Sequence, residues 1–256
     1  MKRIFIGVLF LLMGVHSQAQ IHVSKLVIES HETFRFDQSD ILVADTLIMK
    51  DSSRIVLNTL KKENFLHSKV AIIGNHCIID GSGVDGNPGR AGLPGNSPLG
   101  PCRSGTNGRN GTRGLDGASG INLFLYLDKA TFNGKLIVRL RGGHGGAGGK
   151  GGEGGSGGSG TVHCNGGDGG AGGNAGNGAN GGNGGILTIH CPVSLTHAVE
   201  TKIQEELQGG HFGQGGRGGY GGSGGSGPRR GKNGAAGADG ADGLPGKSGT
   251  ISLVHN

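Results

Sequence analysis

The stretch Gly142-Gly143-His144-Gly145-Gly146-Ala147-Gly148-Gly149-Lys150-Gly151-Gly152-Glu153-Gly154-Gly155-Ser156-Gly157-Gly158-Ser159-Gly160 keeps a three-residue beat without a slip. After the break Thr161-Val162-His163-Cys164 the beat resumes to Gly185. Asn165, Asp168, Ala171, Asn174, Asn177, Asn180 and Asn183 are now the non-glycine members, and only Ala175 and Ala179 intrude on glycine positions. A flexible linker has no reason to hold a period of three, whereas a polyproline-II-type helix has three residues per turn. The stretch predicts extended helices packed through bare glycine faces. It favours a structural or binding protein over an enzyme.

Working outward, glycine accounts for 61 of 256 residues, against 7 prolines, two tyrosines, eight phenylalanines and no tryptophan. Such a composition reads as collagen-like or disordered. So few large apolar side chains cannot fill an ordinary core, and glycine loses the most backbone entropy on folding. Something other than side-chain burial has to hold these stretches in place.

Residues 1–19 read as a secretory signal peptide. Lys2 and Arg3 form the charged start, Ile4–Val15 the apolar run and Ser17-Gln18-Ala19 the small-x-small cleavage site, with Gln20 first in the mature chain. The apolar run is too short for a membrane span, and no later segment approaches the length needed. The reading is an exported protein, secreted or at the cell surface, with no membrane span after cleavage. Loss of Lys2 and Arg3 takes the formal charge from +6 to +4, too mild to imply a nucleic-acid partner. Four cysteines, Cys77, Cys102, Cys164 and Cys191, suit an oxidising compartment and two disulfides.

Three glycine-rich blocks, 81–120, 142–185 and 209–249, alternate with short strand-like passages. Each has two arms of similar length around a non-glycine break: Pro98–Ser104, Thr161–Cys164 and Pro228–Arg230. That is the plan of a hairpin. At ~3.1 Å per residue, the arm 142–160 would be roughly 60 Å long. A helix of three faces must carry glycine wherever another backbone touches it. Arms 142–160 and 165–185, with two glycine frames, are therefore expected to be central. Arm 231–249, with one frame, is expected to be peripheral, and so are the arms of the first block, with glycine every third residue over 83–95 and 105–120; Phe212 intrudes on the otherwise two-frame arm 209–227.

The intervening passages alternate as β-strands do. Candidates are Ile41–Met49, Ser53–Leu57, Val70–Ile73, Cys77–Ile79, the run Ile121–Leu127, the run Leu136–Leu140 after a turn at Asn133-Gly134, Ile186–Ile189 and Thr250–Val254. The segment His197–Leu207 reads as a short helix or, over Thr201–Leu207, as a strand. The expected class is all-β: a short β-solenoid with three inserted antiparallel polyglycine-II hairpins, six helices in all. A 20–80 β region would precede an 81–256 bundle with interleaved strands.

The G-G-X arms resemble the polyglycine-II bundles of the snow-flea antifreeze protein and of some phage tail adhesin tips. The turn Ile78-Ile79-Asp80-Gly81-Ser82-Gly83 is similar to those of right-handed β-helices. The resemblance is architectural and transfers no binding residues. It implies antiparallel stacking of six arms through backbone N–H···O bonds, which would satisfy the buried peptide groups. Collagen and disorder are the competing readings. The run Asn87-Pro88-Gly89-Arg90-Ala91-Gly92-Leu93-Pro94-Gly95 is collagen-like, but proline is scarce and each run is short.

Stacked hairpins would bring the breaks holding Cys102 and Cys164 together, so Cys102–Cys164 and Cys77–Cys191 are the expected pairs. Asn165, Asn174, Asn177, Asn180 and Asn183 recur at one helical turn. They form either a solvated face whose amides bond nearby backbone or a flat polar face for sugars or ice. Lys150, Glu153, Arg217 and Tyr220 on neighbouring arms argue against ice. Arg103, Arg229, Arg230 and Lys232 make two tips basic, as a solvated surface or a polyanion site. The scattered histidines lack metal-ligand spacing, and no cofactor motif is met. Asp80 and Asp85 flank the first block, and no second acidic pair recurs at coil spacing to support a β-helix polysaccharide-degrading enzyme. No catalytic residue is expected. The reading is a non-enzymatic module that meets an envelope polysaccharide, a glycan or a surface protein, in an undetermined oligomeric state. The alternatives are an ice-binding protein and, third, the polysaccharide-degrading enzyme.

Overall fold

The computed structural model describes residues 20–37 and 39–255, so the signal-peptide reading of 1–19 lies outside the described residues. Among the described residues the regular elements are mostly strands, paired parallel in two sheets. One sheet is built from β1 (Ile21–Ile28), β3 (Ile41–Met49), β5 (Glu63–Ile73), β7 (Asn122–Leu127), β10 (Leu187–Cys191) and β12 (Ile251–His255) in that order, with β8 (Ala130–Phe132) also pairing β5. The other runs β2 (Thr33–Arg35), β4 (Arg54–Val56), β6 (Cys77–Asp80), β9 (Leu136–Arg139) and β11 (Ile203–Glu206). The chain visits the two sheets alternately and each time advances by one strand.

Side-chain period decides which face is buried. Leu42, Leu66, Leu125 and Ile189 sit in one register row and point into the core, as do Ile55, Ile79 and Val138 of the second sheet. The row beside the first is His22, Val43, His67, Tyr126, His190 and Val254, which faces outward. The strand candidates from Ile41 onward have counterparts, and β1, β2 and β8 lie outside the sequence candidates. β1 is an edge strand in which His22, Ser24 and Lys25 interrupt the apolar run. Both readings of 197–207 hold in part: α1 covers Thr196–Lys202 and β11 follows directly. No helix among the described residues is long and apolar enough to cross a membrane.

In the first two passages the chain returns from the second sheet to the first over a few residues, between β2 and β3 and then at 57–62. In the next three that short return is replaced by an out-and-back glycine excursion. The outgoing arms 81–97, 142–160 and 208–227 are parallel to one another, with Gly86 N–H donating to the His144 carbonyl at 2.7 Å and Gly145 N–H to that of His211 at 2.8 Å. The return arms 103–120, 165–185 and 231–249 do the same, with Gly111 donating to Asn174 and Gly172 to Ala235, both at 2.8 Å. Antiparallel bonds zigzag between the two rows: Gly146 to Leu115, Gly173 to Gly152, Gly219 to Gly173 and Gly237 to Gly219, at 2.8–2.9 Å.

Arms 142–160 and 165–185 each bond to four others, and arm 231–249 to two. For these three arms, number of neighbours and number of glycine frames go together; arm 103–120, with one frame and expected at the periphery, nonetheless bonds to three others. A Cβ on Gly173 would run into the Arg109 carbonyl, and one on Gly151 into that of Gly173. The two alanines that break the rule leave a local trace. Around Ala175 and Ala179 the bonds Gly114–Asn177, Ala179–Gly146, Gly216–Gly176 and Gly243–Gly213 lengthen to 3.0–3.1 Å.

Cys102 and Cys164 form a disulfide between the tips of the first two arm pairs, with Cα atoms 6.0 Å apart. The expected Cys77–Cys191 bridge is absent; both residues are buried thiols. Cys77 opens β6 in the second sheet and pairs Leu136 of the next passage, whereas Cys191 ends β10 in the first sheet one passage later. Two strand steps alone separate them by about 10 Å, beyond the ~7 Å reach of a disulfide. Burial raises the pKa of both thiols, which keeps them protonated and unreactive.

Two measurements follow. Gly173→Ala is expected to cost about 1–3 kcal/mol in denaturant unfolding, the scale of overpacking. Ala238→Ser, at an exposed position, should stay within about 0.5 kcal/mol; equal midpoints would contradict the packing account. Alkylation of native, unreduced protein should label no thiol, and after denaturation should label Cys77 and Cys191 alone.

Candidate functional site

Two of the three N–H groups in each turn of a central arm bond to neighbouring backbones, which leaves the third without a backbone acceptor. On the return row, side chains close it. Rows 64 residues apart run across the three return arms: Ser104–Asp168–Lys232, Asn110–Asn174–Ala238 and Asp116–Asn180–Leu244 are examples. In each, the Oδ1 or Oγ of one residue accepts the backbone N–H of the next. Asn174, Asn177, Asn180 and Asn183 accept from Ala238, Ala241, Leu244 and Lys247 at 2.8–3.0 Å. The asparagine ladder is thus a set of side-chain-to-backbone ties, each leaving its amide nitrogen toward solvent. Asn165, at the start of the arm, makes no such tie among the described residues.

Asp116 shows how tightly the ties hold. The Asn180 N–H bonded at 2.8 Å, then the Arg113 guanidinium, lower its pKa below the ordinary carboxylate value. A lowered folded-state pKa adds stability above the usual aspartate range, and that stability is lost as pH falls through the lowered value.

The outgoing row presents the opposite face. Asp85 Oδ1 accepts the His144 N–H at 2.6 Å, His144 Nδ1 accepts the His211 N–H at 2.9 Å, and the two imidazoles stack at 5.0 Å. Farther out, Ser97, Ser156 and Ser223 join in another cross-arm row. Between these rows lies a cavity of about 660 Å3 lined by Lys150, Glu153, Arg217, Tyr220 and Asp239, with Gly218 and Gly219 in its floor. Lys150, Glu153, Arg217 and Tyr220 have exposed side chains with no hydrogen bond or ion pair among the described residues. Asp239 has one oxygen committed to the Gly218 N–H.

In the sequence, Lys150, Glu153, Arg217 and Tyr220 stand as an argument against a flat face around the asparagine ladder. That argument does not hold, because the outgoing and return rows face opposite ways. The cavity itself escaped sequence reasoning, since its walls come from three arms and only the 67-residue offset between outgoing arms aligns Lys150 with Arg217 and Glu153 with Tyr220.

Arg103, Arg229, Arg230 and Lys232 are all exposed at the tip end of the array. The carbonyls of Arg103 and Arg229 accept from Gly158 and Gly166, which places them on either side of the middle arm pair. On the first sheet, Phe65 stacks on Phe124 at 4.8 Å and Tyr126 on His190 at 4.3 Å. Their ring faces are spent on one another, so this stripe reads as packing. No group of three or more His, Cys, Asp and Glu among the described residues is placed to hold a metal ion.

Comparison with family models, with curated proteins and with solved structures finds no match to this chain.

Melting as a function of pH tests the tie at Asp116. The parent should lose stability as acid protonates Asp116, and Asp116→Asn, which keeps an acceptor for the Asn180 N–H, should flatten that part of the acid limb. An unchanged acid limb would contradict the assignment.

Proposed function

We propose that the chain is an exported, non-enzymatic binding module in which a short β-solenoid carries three polyglycine-II hairpins as a rigid six-helix platform. Three features support the architecture: parallel sheets visited alternately, arms bonded along their length through glycine N–H groups, and a disulfide joining two tips. A disulfide suits an oxidising, extracellular environment, in keeping with a cleaved signal segment at 1–19.

The function follows from the cavity on the outgoing face. A tyrosine ring, an arginine fork, a lysine and a carboxylate, all without protein partners, converge over a floor of bare peptide groups. Pockets that hold ligands combine apolar or aromatic walls with a few polar groups. The open form, mixed charge and abundance of donors and acceptors suit an extended, hydroxyl-rich chain such as a surface glycan or envelope polysaccharide. A protein partner is the second member of that class.

One observation favours a second reading, an ice- or surface-water-binding protein. The centre of the return face carries regular rows of small side chains, Asn107–Ala171–Ala235 and Asn110–Asn174–Ala238, without the bulky charges of the other face.

Retention of the mature, disulfide-intact protein on native envelope polysaccharide or a glycan array tests the first reading. Arg217→Ala and Tyr220→Ala should each weaken retention about tenfold, the scale of one strong contact. Asn177→Ala, on the opposite face, should leave it unchanged. Failure of the parent to be retained on any glycan or cell surface, together with ice shaping that Asn177→Ala reduces, would replace the first reading with the second.

A further inference from the structure

Outgoing arms 142–160 and 208–227 are equivalent at an offset of 67 residues, as His144 and His211 show. In the first, Gly148, Gly151 and Gly157 donate their N–H groups to the carbonyls of Gln214, Arg217 and Ser223 on the next arm, at 2.8–2.9 Å. Their counterparts Gly215, Gly218 and Gly224 lie on the last outgoing arm, with no further outgoing arm to accept from them. Side chains of the return arm take that place. Asp242, Asp239 and Asn233 each offer Oδ1, at 2.7, 2.7 and 2.9 Å.

The sequence of the return arms has the same logic. Arms 165–185 and 231–249 are equivalent at an offset of 64 residues. Positions Gly169, Gly172, Ala175, Gly178, Gly181 and Gly184 of the flanked arm become Asn233, Ala236, Asp239, Asp242, Pro245 and Ser248 in the last one. Where a neighbouring arm packs, these positions are glycine but for Ala175; where the array stops, all carry side chains, and Pro245 removes an N–H altogether. Phe212, exposed, stands where the preceding outgoing arm has Gly145.

A row of open backbone donors is the counterpart of an unpaired sheet edge, which templates the addition of another chain. The partner such a row fits is an arm with glycine at every third residue and carbonyls in step, as in the joint between 142–160 and 208–227. Each copy of this chain carries six arms of that kind.

We propose that Asn233, Asp239 and Asp242 close the outer edge of arm 208–227, and that this closure keeps the arms of a second copy from adding to the array. The inference concerns association of copies; Asp239 also lines the cavity on the outgoing face, so the test is made without ligand and reads association alone.

Sedimentation velocity over a dilution series, on mature protein with its disulfide intact, tests it. The variant N233A/D239A/D242A, which removes the three acceptors, should sediment faster with rising concentration where the parent does not. The variant D239N/D242N keeps the acceptors without the charge and should track the parent. An alanine variant that tracks the parent would overturn the proposal. So would an asparagine variant that associates as readily, because charge repulsion would then be the cause.

Amide exchange in the parent provides a readout that needs no variant. Gly221, opposite Ala236 in the same series, has no acceptor for its N–H among the described residues. Gly215, Gly218 and Gly224 should exchange more slowly than Gly221; equal rates would also overturn the proposal.

Discussion

The arms depend on one constraint: a backbone N–H must reach a neighbouring backbone carbonyl with no side chain between them. A peptide hydrogen bond adds only about 0.5–1.5 kcal/mol net, and glycine carries a large entropic cost. The arrangement therefore works only as a repeated set, with nearly every buried donor matched. A Cβ at the contact positions would occupy the space of the facing carbonyl, as at Gly146 against Asn87 and at Gly176 against Thr112. Composition, period and neighbour number are three aspects of that requirement.

The two sheets supply what the arms lack. Their core of Leu42, Leu66, Leu123, Leu125, Leu187, Ile189, Ile55, Ile79 and Val138 is an ordinary aliphatic one. It fixes where each glycine excursion leaves and returns. Successive strands are spaced ~4.8 Å apart, so successive arms start out close enough to bond. At the roots, Glu206 receives Arg139 at 2.6 Å and Arg141 at 2.7 Å. At the tips, Cys102–Cys164 ties two of the three pairs. Between root and tip the arms are held laterally by peptide groups and by the Asn, Asp and Ser ties on the two faces.

Much of this was legible in the chain because glycine position is a direct record of backbone contact. The breaks at 98–104, 161–164 and 228–230 read as turns, and two of them carry the paired cysteines. The strands from Ile41 onward were visible as alternation. What stayed hidden depends on relations between distant passages. Cys77 and Cys191 both flank glycine blocks, but they belong to different sheets and are two strand steps apart, which spacing along the chain does not reveal. The asparagines are visible as a ladder, yet their task as acceptors is clear only where Asn174 lies beside Ala238 across 64 residues. Lys150, Arg217 and Asp239 are remote in sequence and meet only because outgoing arms align at a 67-residue offset and the return arm 231–249 packs on arm 208–227.

Scalar couplings across hydrogen bonds, measured by NMR on uniformly labelled mature protein, test the central claim most directly. The account predicts couplings from Gly173 N to Gly152 C′ and from Gly219 N to Gly173 C′, persisting when labelled protein is diluted into unlabelled chains. Absence of both with random-coil glycine shifts, or their loss on that dilution as an intermolecular collagen-like assembly would show, would contradict it.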